Sequence, residues 1–210
     1  MTPIQLSLLA YAATAMLLIM TPGLDTVMTV RAATSQGHRA GFGVVAGVTI
    51  GCILWGLAAA LGVTALLTTS KLAFMALKVA GALYLGWMGC NLILKPRDNL
   101  LAEKGPPRGG GFKGGFRKGL MTNLLNPKVG LFVMTFLPQF IPAGANPLRH
   151  TLILVAILAT LSCLWLCLLV SLCVPLGRLM AKPAVVRVFD RLAGIVFLAF
   201  GFKLLGAQAH

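Results

Sequence analysis

Lys118-Gly-Leu-Met-Thr-Asn-Leu-Leu-Asn-Pro-Lys-Val-Gly-Leu-Phe-Val-Met-Thr-Phe-Leu-Pro-Gln-Phe140 is the stretch that decides how this chain is read. It is apolar and long enough to cross a bilayer, at about 1.5 Å per residue over a hydrocarbon core of roughly 30 Å. Yet Asn123, Asn126, Pro127 and Lys128 lie inside it. Pro127 has no N–H and clashes with the carbonyl four residues back, so the helix must kink or break there. Carbonyls freed at that depth are tolerated only against protein or a watery cavity. Lys128 costs about 2.5–3.5 kcal/mol on insertion scales unless it finds a partner or water. A helix that only faces lipid has no use for such residues, and the segment reads as part of a binding site.

The rest of the chain is of the same kind. Of 210 residues, 58% are hydrophobic and only 10% charged, too few charges to cover the surface of a soluble domain of this length. Apolar runs of about 20 residues recur from end to end, which predicts an all-α polytopic membrane protein with no separate soluble domain. The net charge of +14 would suggest nucleic acid in a soluble protein. Here most basic residues fall between apolar runs, as the positive-inside rule expects, so nucleic acid is not an expected partner. Cys52, Cys90, Cys163, Cys167 and Cys173 all lie in apolar runs. None has a His or acid at metal-ligand spacing, so packing is the expected role, with no metal and no cofactor.

Six spans are expected. The first runs from about Ile4 to Val30 and is interrupted by Thr21-Pro22-Gly23-Leu24-Asp25. No Lys or Arg precedes it, so it lacks the charged start of a signal peptide. A polar loop, Arg31 to Ala40, leads to span two, about Gly41 to Leu67. Gly43, Gly47 and Gly51 form a stripe there for close helix packing, within the subunit or in a homodimer. Span three covers about Leu72 to Leu94. The Pro-, Gly- and charge-rich segment 95–117 is a linker, and Phe112, Phe116, Lys113, Arg117 and Lys118 suggest that its end lies along the membrane surface. Span four is the opening stretch. Span five runs from about Thr151 to Pro175. A loop with Arg178, Lys182, Arg187, Asp190 and Arg191 then precedes span six, about Leu192 to Leu205, or from as early as Val185.

Loops one-two, three-four and five-six hold two, seven and four Lys/Arg, against single residues on the other face. The basic loops are therefore expected in the cytoplasm and both termini outside. Residues 1–94 and 118–210 then form two three-helix halves of opposite direction, joined by a cytoplasmic linker, 95–117. Each half opens with a span broken at a proline, the pattern of an inverted repeat whose interrupted helices meet at the substrate. Two unrelated proline kinks would give the same sequence signal.

A broken helix leaves unpaired N–H groups at the new N-terminus and unpaired carbonyls before it. A zwitterionic α-amino acid complements that pair, its carboxylate toward the N–H end and Lys128, its ammonium toward the carbonyls and Asp25. Thr21, Pro22, Gly23 and Asp25 from the first break and Thr122, Asn123, Asn126, Pro127 and Lys128 from the second are the candidate site. Asp25 is the candidate for proton coupling, because burial favours its neutral form and a nearby cation its charged form. A static Asp25–Lys128 pair, or side chains reaching for the membrane surfaces, would use the same residues without transport.

Gly119-Leu120-Met121-Thr122-Asn123-Leu124-Leu125-Asn126-Pro127-Lys128, with Phe132 and Phe136-Leu137-Pro138-Gln139-Phe140, resembles the central signature of the LysE/RhtB family of amino-acid exporters. Thr21-Pro22-Gly23 with Asp25, Gly37-x-Arg39-Ala40-Gly41, a looser Tyr84-Leu85-x-x-Met88-Gly89, and Gly194 with Gly201 extend the likeness over nearly the whole chain. Leu24 departs from it, standing where many members have a second proline. The resemblance implies a multi-pass protein of the bacterial inner membrane, not an enzyme, exporting amino acids from the cytoplasm by proton antiport. With Asp25 the one intramembrane acid and Asp190 at an interface, the expected substrate is neutral, such as homoserine, threonine or a leucine-type amino acid. The competing classes are a transmembrane thiol–disulfide carrier, which needs a cysteine near each break, and a channel, which needs rings of charge or carbonyls.

Overall fold

The computed structural model describes residues 2–20, 23–69, 71–96, 110–142, 144–172 and 183–206. Among them every regular element is helical: α1 (Pro3–Met20), α2 (Leu24–Gln36), α3 (His38–Thr69), α4 (Lys71–Leu94), α5 (Gly111–Leu124), α6 (Pro127–Leu131), α7 (Pro147–Ser171) and α8 (Pro183–Gly206). Between α6 and α7 the chain takes a π-helical turn, Phe132–Phe136, and a 3₁₀ turn, Leu137–Phe140. His38–Gly62 and Pro147–Ser171 are each long and apolar enough to cross a membrane. So are two bent pairs, if each is one crossing: Ile4–Met20 with Leu24–Gln36, and Gly111–Leu124 with Pro127–Phe140. Both pairs bend by 54°.

The breaks fall where the prolines put them, but neighbouring boundaries move. The expected loop from Arg31 to Ala40 is helical up to Gln36, and the turn is Gly37 alone, whose φ of 88° suits a residue without Cβ. Helix α5 starts at Gly111, ahead of the Lys118 start expected for span four, so Phe112 and Phe116 lie on a helix packed along α3. Asp190 is not in a loop. Helix α8 begins at Pro183, a residue suited to a first helical turn, and Asp190 is wholly buried on it.

Glycine sets the closest contacts. On α3, Gly43 and Gly47 lie against the backbone of Phe112 and Phe116; on α5, Gly115 and Gly119 lie against the backbone of Ala40 and Val44. Two four-residue stripes thus run into each other, with no room for a Cβ on either side. The stripe of span two is therefore used within the chain. Gly89 of α4 and Gly194 of α8 make a similar crossing, where an added Cβ on either would meet the other's carbonyl oxygen at 2.7 or 2.6 Å.

Candidate functional site

Pro22 has no N–H to give the carbonyl of Leu18, four residues earlier, and Pro127 has none for Asn123. Both orphaned carbonyls find donors from the other half of the chain. Lys128 Nζ donates to Leu18 O at 2.9 Å, and Trp55 Nε1 donates to Asn123 O at 3.3 Å. The Leu125 and Asn126 amides also turn back onto the Asn123 carbonyl. Each break is held by a side chain that the other half supplies.

The second break is capped locally. Asn126 is the N-cap of α6: its Oδ1 accepts the Lys128 amide at 3.1 Å, with Pro127 in the first turn. The first break has no such cap, since Gly23 precedes α2 in an extended conformation without a side chain to offer. That bareness makes room, because a Cβ on Gly23 would sit 3.3 Å from Lys128 Nζ. Asp25 lies in the first turn of α2, where the helix dipole favours a negative charge.

Asn123 ties the two breaks together. Its Nδ2 donates to Asp25 Oδ2 at 2.9 Å and lies 3.5 Å from Cys52 Sγ. It reaches that position because Gly115, Gly119 and Asn123 continue one α5 stripe against Gly43, Gly47 and Gly51 of α3. A methyl on Gly51 would come within 2.5 Å of Asn123 Oδ1. Asp25 Oδ1 and Asn123 Oδ1 are buried and make no hydrogen bond. A buried acceptor left open in this way costs about 1–3 kcal/mol unless a donor arrives. Lys128 lies within Coulombic reach of the Asp25 carboxylate.

A cavity opens between the breaks, lined at its polar end by Gly23, Asp25, Asn126 and Lys128. Leu18, Ile19, Val129, Phe132, Leu158 and Leu166 supply apolar wall, with Thr26, Cys52 and Ser162 between. About 40 Å³ of it is open to the centre of a water molecule. At about 10–15 Å³ per water measured this way, the space suits a few waters or one small polar group.

Of the residues expected in the site, Gly23, Asp25, Asn126 and Lys128 line the cavity and Asn123 stands directly behind it. Pro127 is exposed beside it, and Thr122, half-buried on α5, is not among the lining residues. Thr21 and Pro22 lie outside the described residues. Sequence reasoning missed Cys52, Trp55 and Ser162. Ser162 carries the clearest signal, a polar side chain inside the apolar run of α7, and it interacts with the Cys52 thiol. Trp55 has a reason legible only in three dimensions: its ring lies on Gly130, where an added Cβ would be 2.8 Å from it.

No solved structure matches the chain. Two membrane proteins are similar to it. One, from Bacillus subtilis (strain 168), carries the name "Uncharacterized membrane protein YrhP" and is 30% identical over 206 residues, 94% of this chain and 97% of that protein. The other, an "Uncharacterized membrane protein" of Vibrio cholerae, is 37% identical over 81 residues, 39% of this chain and 40% of that protein. The profile of the LysE type translocators matches residues 16–208, a span that takes in both breaks and every residue lining the cavity. This is a membrane protein of the LysE type translocator family.

Proposed function

We propose that the chain exports small neutral α-amino acids from the bacterial cytoplasm by exchange for protons, with the cavity between the breaks as its substrate site. The observation that carries this reading is the bond from Lys128 to the Leu18 carbonyl, beside a buried Asp25 carboxylate with one oxygen that makes no close hydrogen bond, the Asn126 side chain being the nearest donor to the carboxylate besides Asn123. A substrate carboxylate would draw the Lys128 ammonium off the carbonyl, and the substrate ammonium would take the Leu18 and Asp25 oxygens in its place. The Lys128 ammonium and the Leu18 carbonyl then keep a partner with the site full or empty, and the open Asp25 oxygen gains one when the site fills, so binding relieves a buried unpaired acceptor. The apolar wall of Leu18, Ile19, Val129, Phe132, Leu158 and Leu166 suits an aliphatic side chain better than a charged one.

The reading also takes the chain as two inverted three-helix repeats, residues 1–94 and 118–210, about a linker at 95–117. Matched 54° bends support it, as does the reciprocal crossing of Gly89 and Gly194 between α4 and α8. The basic loops would face the cytoplasm and the termini the outside. One proton entering down about 100 mV releases roughly 2.3 kcal/mol. At about 1.4 kcal/mol per decade, this holds a substrate gradient of roughly 50-fold.

Counterflow in proteoliposomes tests the proposal. Vesicles loaded with single unlabelled amino acids should accumulate the labelled form saturably, and an imposed proton gradient should drive net movement. Non-saturable flux would instead indicate a channel. Absence of exchange with every neutral amino acid would remove the substrate class.

A further inference from the structure

Four aromatic side chains run from the cavity toward one end of the bundle. Phe132 lines the cavity and is followed at one-turn intervals by Phe136 and Phe140, with ring centroids 5.1 Å apart at each step. Tyr11 of α1 closes the group, 6.2 Å from Phe132 and 5.2 Å from Phe140. Tyr11, Phe132 and Phe136 are almost wholly buried. Beyond Phe140 the column is tied off by Ser7 Oγ, which donates to the Phe140 carbonyl at 2.5 Å. The far end of the same crossing carries Lys113, Arg117 and Lys118, so the column lies on the side of the cavity opposite the basic residues.

Two features mark this column as more than packing. Phe132–Phe136 is a π-helical turn, a conformation that concentrates at functional sites and is followed directly by a second irregular turn. The Tyr11 hydroxyl is buried with no hydrogen-bond partner, although it lies within electrostatic reach of Cys52 on the cavity wall. A phenol is an unusual filler for a dry column, because its hydroxyl normally finds a partner when buried.

We infer that Tyr11, Phe132, Phe136 and Phe140 fill the exit path of the transported molecule, with Phe132 both the inner gate and the residue that limits substrate size. Unwinding or rotation of the π-helical turn withdraws Phe132 and Phe136, and water or the passing substrate then reaches the Tyr11 hydroxyl. The inference rests on the export reading for what passes, while the existence of a closed path can be measured without transport.

Cys52 supplies the probe, being a buried thiol on the cavity wall. In a protein that keeps Cys52 and has the other four cysteines replaced by serine, its reaction with a membrane-impermeant methanethiosulfonate is timed from each side of oriented proteoliposomes. A Lys113→Cys variant marks the basic side. Phe136→Ala should speed labelling from the opposite side by about tenfold or more, since tenfold needs only about 1.4 kcal/mol taken from the closed state. Phe136→Leu, which keeps an apolar side chain and serves if the alanine variant does not fold, should give a smaller rise from the same side. The rate from the basic side should not change. Equal acceleration from both sides would mean general loosening, and no acceleration in either variant would mean that the column is core; both overturn the inference. Failure of all amino-acid exchange, with the one-sided labelling intact, would instead count against the export reading alone.

Discussion

The two breaks differ in how their orphaned carbonyls are satisfied. At Leu125-Asn126-Pro127 the chain repairs itself: Asn126 caps α6, two backbone amides turn onto Asn123 O, and Trp55 adds a neutral donor. At the break before Leu24 no side chain caps α2, and the Leu18 carbonyl receives an ammonium from the other half of the protein. One break is fixed by neutral contacts, most of them local and one from Trp55. The other is held by a charge on a flexible stem, which can be exchanged for another charge. The difference teaches that proline placement locates a broken helix but not its task, which depends on whether the replacement donor is local or can leave. The self-capped break suits a fixed frame and the break held by Lys128 suits a switch.

The largest effect is expected from removing the mobile charge. Lys128→Met should lower counterflow by roughly 100-fold, because it removes the cation proposed to hold the substrate carboxylate, and a hydrogen bond to a charged group is worth about 1.5–3 kcal/mol. Membrane insertion, read by immunoblot of washed membranes, should be normal. Full exchange by this variant would erase the functional contrast between the breaks. Asp25→Asn should abolish export against a gradient, measured as loss of proton-driven accumulation in vesicles, and uphill export by it would remove proton coupling from Asp25.

Intermediate effects should come from the frame. Gly51→Ala pushes a methyl into Asn123 Oδ1, and overpacking of this kind costs about 1–3 kcal/mol. Exchange should fall by roughly tenfold with a matching loss of thermal stability in detergent, whereas unchanged exchange would show that Asn123 need not hold its position. Asn126→Ala removes the cap of α6, worth about 0.5–2 kcal/mol, and should lower melting temperature more than it lowers exchange. The smallest change is expected for Trp55→Phe. It deletes one neutral hydrogen bond worth about 0.5–1.5 kcal/mol to a carbonyl that also has backbone donors, so exchange should fall only a few-fold. A loss as severe as that of Lys128→Met would mean that the second break is no more self-sufficient than the first.

Much of this was legible in the sequence because proline and buried charge act locally. Pro127 among apolar residues announces a broken crossing, and Lys128 at that depth announces a partner. The same arithmetic, taken one step further, points from Pro22 to the Leu18 carbonyl. What could not be read is which surfaces meet. The stripe at Gly43, Gly47 and Gly51 signals close packing but not its partner, and only the fold shows it matched to Gly115, Gly119 and Asn123. Trp55, Cys52 and Ser162 reach the site from α3 and α7, far from either break in sequence. The loop read at 31–40 is a helix end because Ala32 and Ala33 pack into the core, a tertiary gain that a local count of polar residues does not register. The basic neighbours of Asp190 suggest a loop, yet helix α8 carries it to a fully buried position.

The central claim is that the two breaks lie against each other, so that a group on one can occupy the other. Its most direct test is a cysteine pair, Gly23→Cys with Lys128→Cys, in a protein stripped of its native cysteines and treated with a short bifunctional thiol reagent. Rapid intramolecular cross-linking is expected, seen by joining of the fragments after cleavage in the 95–110 segment. Free thiols at both positions after full treatment, with a Tyr11→Cys and Phe140→Cys control pair, whose native rings lie 5.2 Å apart, joined under the same conditions, would contradict it.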